Sequence, residues 1–154
     1  ISNAKFSCIF NADGSFNIKS LKKMILLTKK NDFVFASRYM KGAGSDDDNF
    51  ITLFGNYFFS LLGRALLNIK LNDLLYTYIL CNTKNFNKFN LRNNDFRLCV
   101  ELPYKIENTN QNYTFIKSKE FKRKFGKKNV NEFKDGFLIL TEVIKCFAKK
   151  IMKI

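Results

Sequence analysis

The sequence has no histidine, no tryptophan and a single proline, Pro103. Four cysteines are present, Cys8, Cys81, Cys99 and Cys146, but no C-x-x-C pair joins any two of them. With no C-x-x-C spacing and no histidine to share a site, nothing in the pattern points to a zinc centre. The cysteines lie far apart, three of them in apolar runs, and read as reduced, mostly buried thiols of a cytosolic protein. No secretory signal pattern is visible. No run of 18 uncharged apolar residues occurs, so no membrane-spanning helix is predicted. RNP-like aromatic motifs, zinc-finger spacings and helix-turn-helix signatures are likewise missing.

What is there is a chain of 154 residues, enough for one domain with a real core. Its 46% hydrophobic and 26% charged residues describe a globular rather than a disordered protein. The formal net charge of +14 invites a nucleic-acid reading. Against it, lysine far outnumbers arginine, asparagine and phenylalanine are abundant, and the lysines are spread along the chain. These are the residues that AT-rich coding sequence supplies, and no nucleic-acid partner is expected.

The order of elements reads as follows. Residues 5–10, KFSCIF, form a short apolar run closed by a turn signal and predict a strand. In the next segment Ile18, Leu21, Met24, Ile25 and Thr28 recur at helical spacing, with Ser15 or Asn17 available as the cap. Residues 32–39, DFVFASRY, predict a second strand, and a crossover helix between the two makes them parallel neighbours. Residues 40–49 carry two glycines and three consecutive aspartates, and read as a solvated loop leading into a helix N-terminus. Residues 50–69 are a strongly apolar helix with a wide face, expected to be largely buried. Residues 71–82 suit a strand or a short helix, and 95–106 a helix in which Pro103 marks a kink or a late start. Residues 112–118 alternate like an edge strand, 117–129 form a basic loop, and 133–154 a C-terminal amphipathic helix.

In chain order the segments NADGS, ASRYMKGAGS, GNYFFSLLGRALLNIKLND, DFRLCVELP, EFKRKFGKKNV and DGFLIL resemble the C-terminal part of a family 2 glycosyltransferase of the dolichyl-phosphate mannosyltransferase-like kind. The similarity covers nearly the whole chain. Its most specific part is the acid-glycine turn followed at this distance by S-R-Y-x-x-G. The resemblance implies an α/β, partial GT-A (nucleotide-diphospho-sugar transferase) fold: a mixed sheet flanked by helices, with the donor bound at the carboxyl edge of the strands. No segment matches the family's P-x-Y-N-E-type strand end. Residues 1–154 therefore read as a single glycosyltransferase domain lacking the N-terminal nucleobase-binding half, and the opening at Ile1 reads as a fragment.

The resemblance further implies inverting, metal-assisted transfer of a sugar from a nucleotide-sugar donor to a polyprenyl phosphate or glycan acceptor. Mg2+ or Mn2+ would neutralise the departing diphosphate. The family's Asp-x-Asp is here Asn11-Ala12-Asp13, which makes Asp13 the first metal ligand and Asn11 an uncharged second. By itself Asp13-Gly14 is also a common way to start a turn. Arg38, after a strand end, is placed to grip phosphate oxygens with its planar fork and so to act in catalysis; the alternative is a surface arginine paired to a local acid. Arg123 corresponds to the arginine of the family's E-R-x-R-x-G-G-x-S-K loop. Here Phe121, Phe125 and Lys128-Asn129 replace the first Arg, the first Gly and the Ser-Lys, while Lys127 and Lys128 still supply positive charge. Asp73 matches the acid after the long helix and is the candidate base, with Glu101 the other candidate carboxylate.

At the chain end, Leu138, Ile139, Val143, Ile144, Phe147, Ile151 and Met152 fall mostly on one side of a helix, with Lys145, Lys149, Lys150 and Lys153 in its second half. It is either a core helix with solvated lysines or an interfacial helix on an anionic membrane. The latter gives a cytoplasmic protein in peripheral contact with the inner membrane face. A different class of reading is a non-catalytic glycosyltransferase-like remnant or binding module.

Overall fold

A computed structural model describes residues 3–126 and 130–152. The chain is mixed α/β, with a mixed sheet flanked by helices. It divides into two compact units: Ile1–Asp47, Tyr76–Asn90 and Asn110–Lys127 form the first, and Asp48–Leu75, Leu91–Thr109 and Lys128–Ile154 the second.

The first unit holds β1 (Phe6–Ile9), α1 (Ile18–Leu27), β2 (Phe33–Ser37), β3 (Gly44–Ser45), β4 (Ile79–Asn82), α3 (Thr83–Lys88), β5 (Tyr113–Lys117) and β6 (Lys119–Glu120). Its main sheet has the order β1-β4-β2-β5. The expectation that β1 and β2 are neighbours is therefore corrected. They do run in the same direction, but β4 lies between them, antiparallel to both. Leu80 stands opposite Cys8 on one side and Val34 on the other. The apolar Ile79-Leu80-Cys81 run suits that inner position, because a central strand is covered on every side. β5 pairs with β2 in parallel and forms the sheet's edge, as its alternation predicts.

α1 starts at Asn17, whose Oδ1 accepts from the Lys19 amide at 3.0 Å. One sheet face packs around Met24, Val34, Leu80, Phe16 and Tyr78, with Leu21, Leu27 and Ile116 closing in from the margin. Ile18 and Ile25, expected on the packing side of α1, are exposed instead, because the face turns toward Ser20 and Met24. The basic segment 117–129 is not all loop: β6 pairs in parallel with β3, Ser45 opposite Glu120.

The second unit is built from α2 (Phe50–Leu67), α4 (Leu98–Glu107) and α5 (Glu132–Met152). α2 begins with a capping box, Asn49 Oδ1 accepting from the Thr52 amide and Thr52 Oγ1 from the Asn49 amide, both at 2.8 Å. It ends at Asn68 in the left-handed conformation, φ 61°. At the same end Lys150 Nζ donates to the Leu66 carbonyl at 2.9 Å. Gly63 is required by close approach, since a Cβ there would stand 3.0 Å from Leu74 Cδ2. α4 starts well before Pro103 and continues through it, so the proline is not the helix start. The core of the unit is Leu67, Ile69, Val100, Leu102, Ile106 and Val143.

α2 departs most from expectation. Its wide apolar face is not buried: Phe50, Phe54, Tyr57, Phe58 and Leu61 are exposed, and the buried positions are Asn56, Phe59, Ser60, Gly63 and Leu67. By length and composition alone α2 could cross a bilayer, Arg64 being its one charge. Cys81, Cys99 and Cys146 are buried as expected, Cys8 is exposed, and no disulfide joins any of the four.

Candidate functional site

β1, β2 and β5 all run the same way, so their carboxyl ends meet at one edge of the first unit's sheet. The segments leaving that edge are 10–17, 38–43 and 118–126. The acidic turn lies in the first. Asp13 Oδ1 accepts from the Ser15 amide at 2.9 Å, and Gly14 takes φ 81°, a value open to glycine without strain. The turn reading of Asp13-Gly14 thus holds, while capping of α1 falls to Asn17.

The basic segment is stitched to this turn by its main chain. The Asp13 carbonyl accepts from the amides of Lys124 at 2.9 Å and Phe125 at 3.2 Å, and the Ser15 carbonyl accepts from Phe121 at 2.8 Å. This brings Arg123 to the acids. Its Nη2 donates to Asp47 Oδ2 at 2.7 Å and its Nε to the same oxygen at 3.2 Å. Its Nη1 lies 3.9 Å from Asp13 Oδ2. The bond to Asp47 holds the guanidinium pKa above its ordinary value, with the charges of Asp47, Asp13 and Glu120 adding to it.

Arg38 leaves the end of β2 and turns inward. It is 6% exposed, and its Nη1 donates to Glu120 Oε2 at 3.0 Å. The same oxygen accepts from Ser45 Oγ at 2.7 Å. The guanidinium lies 4.5 Å from the ring centre of Tyr76 and 5.2 Å from that of Tyr39, within cation–π range. Ser37 Oγ accepts from the Tyr39 amide at 3.3 Å, supporting the turn after the strand. One edge therefore gathers Asp13, Arg38, Asp47, Glu120 and Arg123.

Asp47, Glu120 and Tyr76 are absent from the sequence reading. Asp47 was one of three aspartates in a solvated loop, yet its side chain is only 15% exposed against Arg123. The available signal was complementarity between that acidic run and the basic segment. Asp73 belongs to the second unit and is buried, in the segment where the Leu74 amide donates to Ser60 Oγ at 2.9 Å. Glu101 serves its own unit as a structural carboxylate. It accepts from the Arg92 amide at 2.9 Å, the Asn93 amide at 2.9 Å, Asn93 Nδ2 at 2.7 Å and Lys105 Nζ at 2.7 Å. Burial by itself would raise its pKa, but the Lys105 ammonium and the Arg92 and Asn93 donors outweigh that and hold it below the usual carboxylate range. Lys127, with Lys128 and Asn129, lies outside the described residues.

Among the described residues no three acidic, cysteine or histidine side chains gather as metal ligands. Asp13 and the exposed Asn11 offer one carboxylate and one amide oxygen. That donor set is too small for a cage of protein ligands. A hard cation there would need further oxygen ligands from elsewhere. No protein-family model matches the chain, and no characterised protein matches it significantly.

Proposed function

We propose that this chain is the metal- and acceptor-side portion of a GT-A glycosyltransferase, moving a sugar from a nucleotide-sugar donor to a lipid phosphate or saccharide with inversion. The observation that carries the reading is the meeting of Asp13 and Arg123 at the carboxyl edge of a mixed sheet. An anion-binding arginine beside a hard carboxylate suits a diphosphate that carries a divalent cation.

In this reading Asp13, with Asn11, would hold Mg2+ or Mn2+, which when bound supplies charge neutralisation for the leaving diphosphate. Arg123 donates to the phosphate oxygens. Arg38, buried against Glu120 and two tyrosines, is a positioning residue that fixes the segment carrying Glu120. The acceptor oxygen forms a bond to the anomeric carbon as the bond from that carbon to the diphosphate oxygen breaks, and the nucleoside diphosphate leaves with the electron pair. A hydroxyl acceptor must also give up a proton; the expected base, Asp73, is buried in the other unit and is not assigned to this step. A lipid phosphate is already ionised and needs no base.

Calorimetric titration with UDP or GDP, with and without Mn2+, tests the reading. Asp13→Ala is expected to abolish the Mn2+-dependent part of binding while leaving circular dichroism unchanged. Unaltered Mn2+ dependence in that variant would sink the assignment.

One observation favours a second reading, a non-catalytic binding module. Asn11 brings no charge, and Arg123 partly neutralises the Asp13 carboxylate that remains. Diphosphate binding without any sugar transfer to polyprenyl phosphate or glycan would select it, and restored Mn2+ affinity in Asn11→Asp would identify the cause.

A further inference from the structure

α2 is built the wrong way round for a helix with water on its outer face. Its inner side holds Asn56, Ser60 and Gly63 beside Phe59 and Leu67. Its outer side holds Phe50 at 82% exposure, Phe54 at 65% and Tyr57 at 63%, with Phe58 and Leu61 beside them. A surface helix in water shows the opposite distribution. Phe54 and Phe58 stack with ring centres 6.4 Å apart, so the outer face is a continuous aromatic surface rather than scattered side chains. Patches of this kind mark interaction sites.

α5, in the same unit, has two faces rather than the single one read from its sequence. Ile139, Val143 and Cys146 are buried. Phe133, Phe137, Ile144 and Ile151 are exposed and recur at helical spacing along a second stripe. Lys134 follows Phe133 and Lys145 follows Ile144, so exposed lysines line one flank of that stripe. An exposed apolar stripe flanked by lysines is the pattern of a helix lying in a lipid headgroup layer.

We infer that the outer face of α2, with the exposed stripe of α5, docks on an anionic lipid surface. Charge selects this occupant. Exposed lysines beside the α5 stripe, Lys134, Lys145 and Lys149, would meet the same lysines in a second copy, whereas an anionic bilayer complements them. The inference does not depend on the transferase reading, because it needs neither donor nor metal.

Co-sedimentation of the full chain with vesicles decides it. Binding is expected to phosphatidylglycerol-containing vesicles, to fall in high salt, and to be negligible on pure phosphatidylcholine. Phe54→Glu with Tyr57→Glu should lower the bound fraction more than ten-fold. Both positions are exposed, so thermal unfolding should stay unchanged and confirm the fold. Lys145→Gln and Lys149→Gln should each weaken anionic-vesicle binding about five-fold, the equivalent of roughly 1 kcal/mol for the one charge lost near the surface. Equal binding to neutral vesicles, or none to either, overturns the inference. So does a dimer in light scattering that Phe54→Glu dissolves while vesicle binding persists.

Discussion

Arg38 Nη1 and Glu120 Oε2 meet at 3.0 Å with both side chains almost completely shielded from water. Breaking a pair of this kind leaves a buried charge short of a partner. Glu120→Ala is therefore expected to cost about 3 kcal/mol of stability, the lower end for a buried pair. Glu120→Gln, which keeps an acceptor oxygen for Arg38 and Ser45, should cost less. Urea midpoints of the two variants check the order, and midpoints equal to the wild type's would show that the pair adds nothing.

Arg123 is shared between Asp47 and the turn at Asp13. A diphosphate must compete with Asp47 for the guanidinium. Arg123→Ala is expected to lose about 1.5–3 kcal/mol of diphosphate affinity, as charge-assisted bonds do. Asp47→Asn should tighten binding instead, because it releases the arginine. Titration calorimetry with UDP reads both signs, and a weakening in Asp47→Asn would show that Asp47 supports the site rather than competing for it.

Glu101 gives a pH dependence whose sign is set by its environment. Its folded pKa lies below the unfolded value of 4.5. The stability it contributes is therefore full above the unfolded pKa and is lost as pH falls through the folded one. Glu101→Gln should cost about 1.5–3 kcal/mol at pH 7, since it removes hydrogen bonds to a charged group. Denaturation at pH 7 and at successively lower pH should show the difference between wild type and variant shrinking once the pH drops below about 5. A constant difference would assign the loss to shape alone.

The first unit was largely legible because its signals are local. KFSCIF and DFVFAS declare strands by β-rich composition, and Asn17 declares a helix start by its side-chain chemistry. The position of β4 was not legible, since the pattern of Ile79–Asn82 says that a strand is buried but not between which partners. Periodicity failed in a different way at α2. It locates an apolar face and assumes that the face points inward, and only tertiary packing reveals that Asn56 and Ser60 do so instead. Glu120 and Asp47 escaped notice because an ion pair between residues 82 or 76 positions apart leaves no mark on spacing. Asp13, Arg38 and Arg123 were singled out by motif, whereas Asp47 and Glu120 came only from the folded chain.

Since the acidic turn and the basic segment are joined through carbonyls and amides, the join is indifferent to which side chains stand at 121–125. Side-chain substitutions at Phe121 and Phe125 that keep the backbone amide should not loosen it. Proline at 121 or 124 is another matter, because each would remove a donor that the clamp uses. The same bonds should protect the Phe121 and Lys124 amides from hydrogen exchange, though both sit in a stretch that, by composition, looks free to drift.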